Sequence, residues 1–134
     1  GFMFLLFSFT VYCLSLSLTW SLPDVADTEV SCVFMERCIL PCSFKVGPQE
    51  EIQWIQLEGL HVHWFYDNQD DLGYQDLIYR NRTSLFKDQI SRGNASLQLT
   101  GVKVQDEGIY ECFISTINGR NASYINLKVY RNGN

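Results

Sequence analysis

Positive charge is sparse and dispersed in this chain. Ten Lys and Arg stand against fifteen Asp and Glu in 134 residues, a formal net charge of -5, and nowhere do the cations gather. A nucleic-acid surface needs clustered cations against phosphate, so nucleic acid is excluded as the main partner. Catalytic signatures are missing as well: no G-x-S-x-G, H-E-x-x-H or phosphate-binding glycine loop occurs. The two histidines, His61 and His63, lie two residues apart on a strand-like segment and are read as sharing one face. They have no third ligand and no nucleophile nearby, so no metal, cofactor or enzymatic activity is expected. Beyond the N-terminal run no segment has a helical face. The length is too short for two ordinary domains and suits one.

A single long apolar run is present, Phe2 to Leu18, FMFLLFSFTVYCLSLSL. It reads as an export signal, with the small residues Thr19 and Ser21 at the −3 and −1 positions of a cleavage before Leu22. The rival reading is a membrane anchor, since the run is at the lower edge of a bilayer span. Gly1 stands where Met is expected and no basic stretch precedes the run, which fits either a truncated start or initiation at Met3. The expected division is a signal peptide over 1–21 and one domain over 22–134. No second apolar run follows.

Export sets an oxidising compartment. Cys13 leaves with the signal, and Cys32, Cys38, Cys42 and Cys112 remain as an even set expected to form two disulfides. The spacing C-x5-C-x3-C with one distant cysteine fits no common zinc pattern. Three N-x-S/T triplets, at Asn81, Asn94 and Asn121, are glycosylation candidates that agree with this address.

After Leu22 the dominant period is two. EIQWIQ, LHVHWFY, ASLQLTGV, GIYECFIS and SYINLKVY alternate and are rich in β-branched and aromatic residues. Gly47-Pro48, Asn68 to Asp71, Gly93-Asn94 and Asn118-Gly119 punctuate them, and the last pair marks a hairpin. Asp70, Asp71 and Asp76 read as a solvated loop. Many short strands at this spacing point to a sandwich or barrel. On the GIYECFIS strand Tyr110 and Cys112 share one face, and Glu111, Phe113 and Ser115 share the other.

Cys42, Trp54 twelve residues on, then Tyr110 and Cys112 resemble the immunoglobulin signature. The resemblance implies an all-β, V-type immunoglobulin β-sandwich, two antiparallel sheets with Greek-key topology. The stretch from Trp54 to Arg82 leaves room for the extra C′ and C″ edge strands. The resemblance also implies a Cys42–Cys112 bond against Trp54, a Tyr110 hydroxyl bonded to backbone near residue 106, and an ion pair from Asp106 to Arg82, with Arg80 as second choice. Cys32 and Cys38 are expected to pair locally. The alternatives are an intermolecular bridge, or Cys38 in place of Cys42 as partner of Cys112.

The run RNRTSLFKDQISRGNASLQLTGVKVQDEGIYECFIS, Arg80 to Ser115, is more specific. It is similar to the T-cell costimulatory and checkpoint ligands, the programmed-death ligands and the HERV-H LTR-associating protein among them, with butyrophilins further off. The resemblance implies an extracellular ligand at the external side of the plasma membrane. Such a ligand binds a protein receptor on lymphocytes through the front GFCC′ sheet and regulates T-cell activation and cytokine production. Family members continue into a constant-type domain and a membrane span, so the chain is expected to be a fragment, with any membrane attachment through sequence beyond residue 134. A secreted form is expected if it ends here. Receptor-facing positions follow from the pleat: Gln53, Ile55, Glu111, Phe113, Ser115 and Tyr124. The family pattern adds Trp64 outward and Phe65 inward. A glycan at Asn121, in the segment TINGRNAS, is expected at the edge of that face. A monomer is expected; the competing function is an adhesion or structural domain that self-associates through the same sheet.

Overall fold

Each alternating segment becomes a strand whose apolar phase turns inward. The structure, a computed structural model, describes residues 26–48 and 50–132. The expected export signal and its cleavage site lie outside the described residues. Nine strands form among these residues: β1 (Thr28–Val33), β2 (Cys38–Leu40), β3 (Glu51–Gln56), β4 (Leu60–Tyr66), β5 (Gln69–Asp70), β6 (Thr83–Leu85), β7 (Leu97–Leu99), β8 (Gly108–Thr116) and β9 (Gly119–Tyr130). One sheet has the order β1-β9-β8-β3-β4-β5 and the other β2-β7-β6. This is the variable-type immunoglobulin sandwich, A′GFCC′C″ facing BED. Neighbours run antiparallel except β1 and β9, which are parallel.

The six-stranded sheet carries the long strands, and Ile117-Asn118 forms a tight turn between Thr116 and Gly119. The back sheet is built of three-residue strands, so Cys42 lies just beyond β2 rather than within it. Connections are filled by three short 3-10 turns, Leu77–Tyr79, Lys87–Arg92 and Val104–Asp106. No helix of the described residues is long and apolar enough to cross a membrane.

Between the layers Leu40, Leu97 and Leu99 meet Ile52, Trp54, Cys112, Ile125 and Leu127, all buried. Removal of this apolar surface from water is the main stabilising term. Trp54 lies opposite Cys112 in register, and its indole N–H donates to the Ala95 carbonyl at 2.9 Å. Cys42 is bonded to Cys112, and Cys32 to Cys38. Both bonds therefore join one sheet to the other, and Cys38 is not the partner of Cys112.

The lower end is closed by a polar cluster. Asp106 is buried, yet its carboxylate accepts from both terminal nitrogens of Arg82 and from the Lys103 N–H. The remaining Arg82 donors go to the carbonyls of Ile78, Thr100 and Gly101. Arg80 is exposed. The Tyr110 hydroxyl donates to the Asp106 carbonyl, and the Tyr79 hydroxyl lies 3.0 Å from that of Tyr110. Burial pushes the Tyr79 hydroxyl up to about 12 and that of Tyr110 higher still.

Candidate functional site

The outer face of the six-stranded sheet is a grid fixed by strand register. One row runs Tyr124, Glu111, Ile55, His61 across β9, β8, β3 and β4. The next runs Ala122, Phe113, Gln53, Trp64, and the third Arg120, Ser115, Glu51, Tyr66. Buried residues alternate with these along β3 and β8, so the outward set is the half-exposed phase of each strand. All seven positions expected to face a receptor, Gln53, Ile55, Trp64, Glu111, Phe113, Ser115 and Tyr124, lie in this grid. Phe65 is buried on the opposite phase.

Polar contacts hold the aromatic rings in place. The Trp64 indole N–H donates to Glu51 Oε1 at 3.1 Å, and Gln53 Nε2 donates to the same oxygen at 3.4 Å. The carboxylate of Glu111, the cross-strand neighbour of Tyr124, raises the pKa of the Tyr124 hydroxyl through hydrogen bonding and charge. Tyr74, from the segment after β5, lies over the edge of the grid with its ring 6.4 Å from Trp64 and 6.5 Å from His61. Ile55, Phe113 and Trp64 thus form an apolar centre with tyrosines around it. Such a composition suits a protein interface, where aromatic anchors carry most of the binding energy.

The histidines do not share a face. Register slips between Trp54 and Ile55: Trp54 opposes His63 but Ile55 opposes His61, leaving Val62 as the extra residue of a bulge. His61 therefore points outward and His63 inward, where it is 3% exposed. The His63 Nε2 lies 2.8 Å from Asp70 Oδ1 and its Nδ1 2.8 Å from Thr83 Oγ1. The carboxylate fixes the ring proton on Nε2, so in the neutral ring the Thr83 hydroxyl donates to Nδ1 and its oxygen accepts from Gln75 Nε2 at 2.9 Å. Hydroxyl, imidazole and carboxylate stand in a relay-like line. The ring is buried and ties β4 to β5 and β6, a clamp between strands. Among the described residues no group of three or more His, Cys, Asp or Glu is placed to hold a metal.

Nor is Asp70 a solvated loop residue. Burial raises its pKa, but hydrogen bonds and charge from Lys87, 2.7 Å away, and from His63 outweigh that and leave it below the ordinary value. Asp76 accepts from the Ile78 N–H and caps the turn that follows, and Asp71 accepts from the Gly73 N–H.

The immunoglobulin V-set domain family matches residues 26–130. The chain belongs to this family. Human HERV-H LTR-associating protein 2 is 46% identical over 81 residues, 60% of this chain and 20% of that protein. Human V-set domain-containing T-cell activation inhibitor 1 is 39% identical over 98 residues, 69% of this chain and 34% of that protein. The crystal structure of the human B7-H4 IgV-like domain superposes with a TM-score of 0.71 at 36% identity, covering 75% of this chain and 91% of that one. The chain thus spans a fifth to a third of the length of the two curated relatives.

In this V-set domain the acceptor asparagines of the three N-x-S/T triplets lie outside the rows of the outer grid. Asn81 is exposed on a left-handed turn ahead of β6, at the end of the other sheet. Asn94 precedes β7, with its amide donating to Gln89 Oε1 and its oxygen accepting from the Ser96 N–H. Asn121 is in the outermost column of the grid, between Arg120 and Ala122. It lies in β9 opposite the buried Ile114, hence on the core side of the strand. Sequence reasoning also leaves Glu51, His61, Tyr66 and Tyr74 off this face. Extending the β3 phase to its first residue finds Glu51. Tyr74 sits in a loop and carries no periodic signal.

Proposed function

We propose that this V-set domain is the receptor-binding part of an extracellular ligand. It engages a lymphocyte receptor through the outer face of β9, β8, β3 and β4 and thereby regulates T-cell activation and cytokine production. The proposed division is an export signal over residues 1–21 and the V-type domain from residue 22 onward, on the external side of the plasma membrane. One observation carries the assignment: an apolar centre of Ile55, Phe113 and Trp64, edged with tyrosines, on the largest sheet, with every N-x-S/T asparagine off it. A contiguous half-exposed apolar and aromatic face has a cost in water that a partner's surface relieves. Relatedness to a protein named as a T-cell activation inhibitor supports the choice of partner cell.

The test is binding of the multimerised, secreted chain to resting and activated lymphocytes by flow cytometry, with Trp64→Ala and Phe113→Ala beside the wild type. Each substitution is expected to weaken binding about tenfold or more, with melting temperature checked in parallel. Undiminished binding by both variants removes this face from the account. Sedimentation velocity at micromolar concentration addresses the competing function. A dimer broken by the same two substitutions makes the molecule a self-associating adhesion domain, whereas the ligand is a monomer.

A further inference from the structure

Asn121 stands at a place built to hold what it would carry. Its strand position faces the inter-sheet side, opposite Ile114, above the level at which β1 begins to pair with β9 at Ile125. There it lines a groove of about 350 Å³ with Phe44, Val46, Ile114, Thr116 and Arg120. Phe44 and Ile114 give the groove an apolar floor, and Val46, 47% exposed, gives it an apolar wall. Thr116 and Asn118 supply polar groups at the rim. A pyranose ring has an apolar face, a ring of hydroxyls and, in an N-acetyl sugar, one methyl group, and so matches this division.

The groove also lies between two loops that already touch. The Ile117 N–H donates to the Pro48 carbonyl at 3.2 Å, and a Cβ at Gly47 would come within 3.2 Å of Thr116 and Asn118. A sugar filling the groove would bridge the β2–β3 loop to the β8–β9 turn. Asn94 differs, because both ends of its amide are engaged by the fold.

We propose that Asn121 carries an N-linked glycan whose first N-acetylglucosamine seats in this groove and braces the two loops. Attachment forms a bond from Asn121 Nδ2 to the sugar C1 and breaks the C1–O bond to a lipid pyrophosphate donor. The pyrophosphate leaves with its electron pair, and the amide proton passes to a base of the transferase. Seating of a sugar at Asn121 is independent of receptor binding.

The test uses the chain secreted from a eukaryotic host. Peptide mass spectrometry is expected to find Asn121 occupied. Ser123→Ala and Asn121→Gln, which both abolish the acceptor triplet, are expected to lower Tm by roughly 4–8 °C. Enzymatic trimming to a single N-acetylglucosamine leaves Tm unchanged, whereas complete removal of the sugar from Asn121 lowers it as much as the variants do. Bacterially produced, refolded wild type and Ser123→Ala are expected to melt together, which assigns the loss to the sugar and not to the side chain. An unoccupied Asn121, a Tm indifferent to complete removal, a loss on trimming alone, or a difference between the two bacterial proteins each overturns the proposal.

Discussion

At the scale of single residues, the deciding case is a charge with almost no water around it. Asp106 is 1% exposed, and an isolated carboxylate so placed would cost several kcal/mol. Arg82 offsets that cost, and its other donors go to the carbonyls of Ile78, Thr100 and Gly101. Arg82→Met strands the acid and is expected to destabilise the domain by roughly 3–5 kcal/mol in urea unfolding. Arg80→Met, on an exposed side chain, should change stability by less than about 0.5 kcal/mol. Comparable losses from the two would show that the clamp is not where the geometry has it. Gly108, two residues on, is constrained by backbone rather than charge. Its φ is 146°, and an added Cβ would lie 2.8 Å from Gln56 Nε2. Gly108→Ala is expected to cost about 1–3 kcal/mol by the same measurement.

At the scale of elements, β4 shows what a period of two conveys and where it stops. The alternation of β3 and β8 assigns Trp54, Tyr110 and Cys112 inward and Gln53, Phe113 and Ser115 outward, and the structure has them so. In β4, however, LHVHWFY is apolar on both phases, so nothing in the pattern marks the one-residue slip at Val62. That slip separates the two histidines and sends His63 to meet Asp70. A two-residue β5 is likewise too short to announce itself, which is why Asp70 reads as solvated loop. The clamp it makes has a pH signature. The Asp70 pKa is depressed by Lys87 and His63 against the effect of burial, so its stabilisation is complete above the ordinary carboxylate value and is lost as pH falls through the lowered one. Asp70→Asn should therefore melt at lower temperature than wild type at pH 7, with the gap closing towards pH 2.5. Melting curves that keep a constant gap across that range would remove Asp70 from the acid limb.

At the scale of the molecule, two layers of unequal size are joined twice, and the joints are not equivalent. The V-set signature is legible in the sequence because its parts, Cys42, Trp54, Tyr110 and Cys112, are spread over the chain and each has a distinct side chain. The outline of the outer face is less so, because it depends on register between strands and on Tyr74 lying back over Trp64 and His61. Of the two sulfur bridges, Cys42–Cys112 spans 70 residues of sequence and ties the long front sheet to the end of β2. Cys32–Cys38 spans 6 and ties β1 to β2 at one edge. Both bring together the same two layers in the folded state, so their difference lies in the unfolded chain. In the chain-entropy account the long loop contributes about 4 kcal/mol and the short one about 2 kcal/mol. Paired Ala substitutions at 42 and 112 should thus lower unfolding free energy about twice as much as those at 32 and 38, since all four cysteines are buried and each pair loses packing as well. Denaturant unfolding of both variants reads the ratio directly. Equal losses would mean that the edge strand β1, and not the bond through the centre, holds the layers in register.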